Sequence, residues 1–323
     1  MKQQIFEQRR QPLWQRYCEI LAVLQGRKKR PKEGESISSH AFPSLYRHLC
    51  SDLALARTRG YSLQLIEKLE RWRAEGHALL YQPRGELLRS MVGFVARDFP
   101  RQVRQEWRLT LLCSLLLFGP MVLLAWAIGS NPDFVYRILS PEQIASVESM
   151  YEPGNSLRRG AAGDIYMFTY YIMNNIGVAL RTFAGGLLLG IGSGAILLYN
   201  GLFIGAVTAH LSFEGYHETF WSFVIGHGSL ELPAIALAGV AGMRLGLAVL
   251  MPGQLSRLDA LRLSARQAVH LLYGVMLMLF LAAGLEAFWS ASGFAPLIKY
   301  SVGGLLWLLV LAYFLFAGRQ PHV

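Results

Sequence analysis

The chain has 323 residues, 53% of them hydrophobic and only 16% charged, with a mean hydropathy of +0.32. A water-soluble domain with a polar surface rarely shows that balance, so the composition excludes an ordinary soluble globule and points to a membrane protein. The formal net charge of +10 resides in the front third, because residues 1–105 hold 20 Lys or Arg against 10 Asp or Glu while the rest is near neutral.

The first twenty residues, MKQQIFEQRRQPLWQRYCEI, are charged throughout and lack an apolar stretch followed by a small-residue cleavage site. The first membrane helix is therefore expected to direct insertion. Leu13, Trp14, Tyr17, Leu21 and Leu24 recur at helical spacing and make one apolar stripe. Residues 26–39, GRKKRPKEGESISS, read as a basic loop. A second helix is predicted after Pro43, with Leu45, Leu49, Leu53 and Ala56 inward and a stop at Gly60. Ser62 opens a third carrying Leu65, Ile66, Leu69 and Trp72, and after the YQPRG break a fourth carries Leu87, Leu88, Met91, Val95 and Phe99.

Residues 1–105 thus form a small basic helical domain, expected in the cytoplasm. Its arginines are scattered over all the helices and no reader motif appears, so no nucleic-acid partner is expected. Arg97, Arg101, Arg104 and Arg108 lie next to the first span, where they satisfy the positive-inside rule and reach anionic lipid headgroups. Cys18, Cys50 and Cys113 have no spacing suited to zinc or to a redox pair and read as reduced packing residues.

Residues 106–318 read as a membrane bundle with apolar runs at 107–129, 172–199, 201–213, 219–250, 268–290 and 298–317. A helix needs about 20 such residues to cross ~30 Å of hydrocarbon. The fold class is all-α: a polytopic helical membrane protein with about six (five to seven) transmembrane helices, the weakest being 201–213, which is short for a full span and admits a re-entrant or half-length reading. The segment 130–171 carries Asp133, Glu142, Glu148, Glu152 and Asp164 against Arg137, Arg158 and Arg159, which suits the outer side. Residues 252–266 carry Arg257, Arg262 and Arg266 against Asp259, which suits the cytoplasm. A multi-pass protein of the bacterial inner membrane with both termini cytoplasmic fits these assignments.

Ionisable residues at membrane depth cost about 2.5–3.5 kcal/mol each on insertion scales and mark functional sites or structural pairs. Here they are Arg181, His210, His227, Glu231 and Arg244. Arg181, two turns in from the outer end of 172–199, and Arg244, near the cytoplasmic end of its run, have room to snorkel to the interface. His227 and Glu231 do not. Gly226 and Gly228 flank His227 and Pro233 follows, so the span is expected to break at GHG and restart near Ser229, giving a discontinuous helix.

Two readings of that break stand. Either Ser229 and Glu231 cap a restarting helix and His227 satisfies freed carbonyls, or the three make a ligand, ion or proton site. One His and one Glu are too few for a metal site, and His210 and His217 do not clearly complete a set, so no metal and no cofactor is expected. Asn174, Asn175 and Asn200 read as caps or interhelical hydrogen bonds. Thr182, Gly186, Gly190 and Gly194 form one small-residue ridge and Ala234, Ala238, Gly242 and Gly246 another, so their two helices are expected to cross. No nucleophile with a base, phosphate loop or cleft with paired carboxylates appears, which disfavours an enzyme.

The segments NNIGVALRTFAGGLLLGIGSGAILLYNGLFIG (174–205) and GHGSLELPAIALAGVAGMRLG (226–246) resemble the stage II sporulation protein M family of bacterial and archaeal membrane proteins. The resemblance covers residues 100–317 in membrane pattern. The front block, with LYRHLCSDLALARTRGYS, GHALLY and ARDFPRQVR, is similar to longer members from bacteria that do not sporulate. The resemblance singles out Asn174, Asn175, Asn200, Gly201, His227, Gly228, Glu231, Gly239, Gly242 and Gly246, without a chemical role for any.

In spore formers the resemblance implies a membrane protein required for engulfment that anchors a peptidoglycan-degrading complex. Elsewhere it implies a neighbourhood with a MoxR-type AAA+ ATPase, a von Willebrand factor A-like protein and an RDD-domain membrane protein. The resulting expectation is a non-enzymatic scaffold or complex subunit, homo- or hetero-oligomeric, in contact with lipids and other membrane proteins. The alternative is a permease or channel-like subunit using the polar site, and a third reading is a lipid-handling groove beside Gly226–Pro233.

Overall fold

The computed structural model describes residues 3–25, 41–80, 84–153 and 161–319. Among them it is built from α1 (Gln3–Leu24), α2 (Phe42–Thr58), α3 (Leu63–Leu80), α4 (Arg84–Gly93), α5 (Phe99–Gln105), α6 (Trp107–Ser130), α7 (Pro141–Tyr151), α8 (Ala161–Ala184), α9 (Ile191–Phe213), α10 (His217–Leu250), α11 (Arg257–Gly284) and α12 (Pro296–Phe316), with no strand. Contacts divide the chain into two compact units, residues 1–91 and 92–323. The basic loop predicted at 26–39 lies outside the described residues, as do Arg158 and Arg159 of the predicted outer segment.

In the first unit, the apolar stripe of α1 closes on α2 and α3. Trp14, Tyr17, Ile20, Leu21, Leu49, Leu53, Ala56, Leu65 and Leu69 are its buried core. Asp52 is buried with them. Asp52 accepts a hydrogen bond from Trp14 Nε1 at 3.0 Å and pairs with Arg10 Nε at 3.0 Å. Tyr17 donates its hydroxyl to the Trp72 carbonyl at 2.7 Å, tying α1 to α3.

The second unit is the polytopic bundle expected. Five of its helices are long and apolar enough to cross a membrane: α6, α9, α10, α11 with the turn that continues it to Ser290, and α12. The 24-residue α8 has the length but carries Asn174, Asn175 and Arg181 on an otherwise apolar stretch. At the centre is α10, which packs against α6, α8, α9, α11 and α12. Its stretch Ala234–Met243 is buried without a gap.

Contacts between successive helices define two ends of this unit. At one, Gln102 donates to the Gln267 carbonyl at 2.6 Å and Arg104 donates to the carbonyls of Phe314 and Ala317 at 2.8 and 2.6 Å. Arg244 pairs there with Glu106 and bonds Gln267. At the other, His210 Nε2 lies 2.7 Å from Glu148 Oε1 and Thr219 donates to the Tyr151 carbonyl at 2.6 Å, so α7 folds onto the ends of α9 and α10.

Two expectations about helix continuity are corrected. First, α10 runs unbroken from His217 to Leu250 through Gly226, Gly228 and Pro233. The local signals for a break are outweighed by packing: five neighbouring helices surround α10, and a proline that removes one backbone donor is tolerated when the freed groups are enclosed in protein. Ser229 turns its hydroxyl back onto the Gly226 carbonyl at 2.6 Å, inside the helix.

Second, the interruption lies in the preceding segment. The run read as one span over 172–199 is two helices, α8 and α9, joined by a turn at Gly185–Gly190. A short 3-10 piece, Gly185–Leu187, leads to Leu189 at φ 54° and Gly190 at φ 83°, which reverse the chain. The half-length element at 201–213 is accordingly the second half of a full 23-residue helix. Residues 161–171, read as part of the outer loop, are the start of α8.

The two small-residue sets do meet, but in a different geometry. Gly186 and Gly190 belong to the turn and lie against Gly242, Met243 and Gly246 of α10, so close that a Cβ on Gly186 would coincide with the Gly242 carbonyl. Thr182 lies on α8, its carbonyl accepting from Ser193 Oγ at 2.6 Å, and Gly194 lies in the first turn of α9. The ridge is thus a backbone turn nested on a helix rather than one helix crossing another. Ala234 and Ala238, both fully buried, continue the α10 face toward Glu231.

Candidate functional site

His227 and Glu231 are four residues apart on a continuous helix and therefore share one face. At 1.5 Å per residue, they sit about 15 and 21 Å from the start of a helix about 50 Å long. Both fall inside a ~30 Å hydrocarbon core when the excess length is shared between the two ends.

Facing them is Glu286, supplied by a π-helical turn, Leu285–Ser290, that continues α11. Such turns insert one residue per turn and re-aim side chains, and they recur at functional sites. A ring nitrogen of His227 and one carboxylate oxygen each from Glu231 and Glu286 lie within 4.8 Å of one another.

Polar and aromatic groups from three elements pack around this cluster. His227 Nδ1 is 3.1 Å from Ser290 Oγ, and the Ser290 carbonyl accepts a 2.7 Å hydrogen bond from the buried Lys299 ammonium. The Phe223 ring packs edge-on against the imidazole. On the α8 side, Asn174 Nδ2 donates to Asn175 Oδ1 at 3.0 Å, and the Asn175 side chain lies beside both carboxyl groups. Yet Asn175 Nδ2 and Glu286 Oε2 are buried without a hydrogen-bond partner. Among the described residues, neither Glu231 nor Glu286 takes part in an ion pair.

Glu231 also reaches a second space. A cavity of about 590 Å³ opens between α8, α9 and α10, and its wall includes Asn174, Asn175, Arg181, Asn200 and Glu231. Asn200 bonds back to the Ile196 carbonyl of its own helix at 2.8 Å. Arg181 lies in the last turn of α8, with its guanidinium folded back toward Gly177. The Gly185–Gly190 turn therefore puts Arg181 near the Arg104 and Arg244 end, not the outer end expected.

The structure thus brings His227, Glu231 and Asn175 together at the cluster and sets Asn174, Asn200 and Arg181 along the adjoining wall. Arg244 is not among them: its pairing with Glu106 and Gln267 holds it at one end of the bundle. His210 is likewise engaged elsewhere, with Glu148. Glu286, Ser290 and Lys299 were not singled out from the sequence. For Glu286 the signal was present, since it is an acid within the apolar run 268–290. The expectation that the ligands are too few for a metal was reached without it.

A family model described as Stage II sporulation protein M matches residues 114–291. The chain belongs to the stage II sporulation protein M family. The matched segment opens inside α6 and closes one residue beyond Ser290, so it contains every member of the His227 cluster and the whole cavity wall. A second model, described as a domain of unknown function (DUF8413), matches residues 4–82 and so covers α1–α3 of the front unit. Comparison with the curated proteins and with the solved structures returned no match.

Proposed function

We propose that this stage II sporulation protein M family member is a non-enzymatic, permease- or channel-like membrane subunit that admits a small cation from the α8–α9 cavity to the His227, Glu231 and Glu286 cluster. One observation carries the reading: Glu231 belongs at once to the cavity wall and to a cluster that sets two carboxyl groups beside an imidazole. A purely structural bundle has no need of two acids that each cost about 2.5–3.5 kcal/mol at membrane depth. Arg181 gives the cavity a positive charge of its own, so cation selectivity resides at the cluster and not in the cavity as a whole.

Orientation follows from the positive-inside rule. The end carrying Arg101, Arg104, Arg108, Arg257, Arg262 and Arg266 faces the cytoplasm of a bacterial inner membrane, with both termini on that side and α7 outside.

The test is Glu231→Gln, which keeps size and hydrogen-bonding capacity. In proteoliposomes the variant is expected to lose cation flux while eluting from detergent in the same oligomeric form as wild type. Flux equal to wild type would refute the reading.

A second reading, scaffolding within an envelope complex, is favoured by the separately packed basic front unit, a suitable docking module for a MoxR-type ATPase or an RDD-domain protein. In that case Glu231→Gln abolishes neither assembly nor any flux, and removal of the front unit breaks partner capture.

A further inference from the structure

We propose that His227, Glu231 and Glu286 form a binding site for one divalent first-row transition-metal ion of the zinc class. This names the ion for the path proposed above and rests on that reading only for the ion's passage, not for its binding.

The geometry supplies three donors from two elements, α10 and the π-helical turn, all within 4.8 Å of one another. Metal–donor bonds of about 2.0–2.2 Å hold neighbouring donors about 3–3.5 Å apart, so rotating the side chains by about an ångström closes the set. The chemistry of the donors selects the class. Imidazole with two carboxylates suits zinc and its neighbours, whereas magnesium and calcium take oxygen donors almost throughout.

Charge supports the same choice. When both carboxyl groups are ionised, one divalent cation balances them without any side chain moving in from another helix. The cluster also holds a buried acceptor free to take a ligand: Glu286 is 9% exposed, and its Oε2 is buried without a hydrogen-bond partner beside the donors.

The surroundings act as they do around a bound ion. Ser290 Oγ lies 3.1 Å from His227 Nδ1 and restrains the ring, and Lys299 anchors Ser290 through its carbonyl. Partners of this kind orient a metal-bound imidazole, and losing one costs 10- to 100-fold in affinity. The cavity beside Glu231 is an entry path.

The test uses the full, tag-free chain in detergent, stripped with a chelator and then dialysed against zinc, with bound metal measured by mass spectrometry and affinity by calorimetry. Wild type is expected to retain one zinc per chain that Glu286→Gln and His227→Asn both lose, with magnesium failing to compete. Ser290→Ala is expected to keep the stoichiometry and bind about 10- to 100-fold more weakly. Size-exclusion profiles matching wild type show that the variants are folded. If wild type takes up no zinc, if both variants keep it, or if magnesium displaces it, the inference is overturned. Zinc bound at this site without zinc flux in proteoliposomes leaves the inference standing and defeats the ion path. Cation flux without zinc binding does the reverse.

Discussion

Replacing Glu286 by Leu separates an acid retained for function from one retained for folding. Glu286 is 9% exposed, its Oε2 is buried without a partner, and no cation pairs with it among the described residues. An acid at membrane depth costs about 2.5–3.5 kcal/mol on insertion scales. Leucine of similar volume removes that cost. Against this stands the loss of the interaction with Asn175, about 0.6 kcal/mol for a typical polar contact between membrane helices. The expected balance is a gain of about 2–3 kcal/mol for metal-free protein, or about 4–12 °C in Tm at 2–4 °C per kcal/mol for a unit of this size. Thermal unfolding in detergent with excess EDTA measures it. A variant that melts below wild type under those conditions would show that Glu286 holds the fold together, and the account of a site kept at the expense of stability would fail.

Other consequences follow from individual contacts. Gly186→Ala places a methyl group on the Gly242 carbonyl, where backbone cannot retreat, and is expected to lower stability by about 1–3 kcal/mol in the same melt. In the front unit, Asp52→Ala orphans the buried Trp14 N–H. It is expected to cost about 1–3 kcal/mol, read as faster hydrogen exchange across α1–α3 with α8–α12 unchanged. Burial raises the Asp52 carboxyl above its ordinary range, although Trp14 and Arg10 pull it back. The folded unit therefore takes up this proton at higher pH than the unfolded chain. Wild type should gain stability over Asp52→Asn as pH falls from that raised value toward about 4. A difference that shrinks on acidification would mean a lowered carboxyl instead.

The apolar runs behind α6, α10, α11 and α12 were plain from the sequence, because crossing hydrocarbon demands about 20 apolar residues whatever their neighbours are, but α11 starts at Arg257, inside the segment read as a cytoplasmic loop. Breaks were harder to place, since glycine and proline act differently in different surroundings. The same residue types in GHGSLELP stay helical inside a ring of five helices, while AGGLLLGIGSG, with five glycines in eleven residues, makes the reversal between α8 and α9. A glycine cluster is itself a turn signal, but its four-residue spacing also fits a packing ridge, and only the contact with α10 decides between them.

The site divides in the same way. His227 and Glu231 are visible as a pair because a helix puts residues four apart on one face. Glu286, 55 positions beyond Glu231, joins them only through the packing of α11 on α10 and the extra residue in its π-helical turn. Without it the set has two ligands and no metal chemistry. Arg244, near in sequence to Glu231, is carried by the helix to the end of the bundle where Glu106 meets it, in keeping with its place near the end of the apolar run.

The central claim, a cation held at the His227 cluster, is tested most directly by an experimental structure of zinc-equilibrated protein in lipid with anomalous scattering recorded at the zinc edge. The account predicts one peak within about 2.0–2.2 Å of a His227 ring nitrogen and of oxygens from Glu231 and Glu286. It is contradicted by an empty cluster whose three side chains have closed on one another through direct hydrogen bonds.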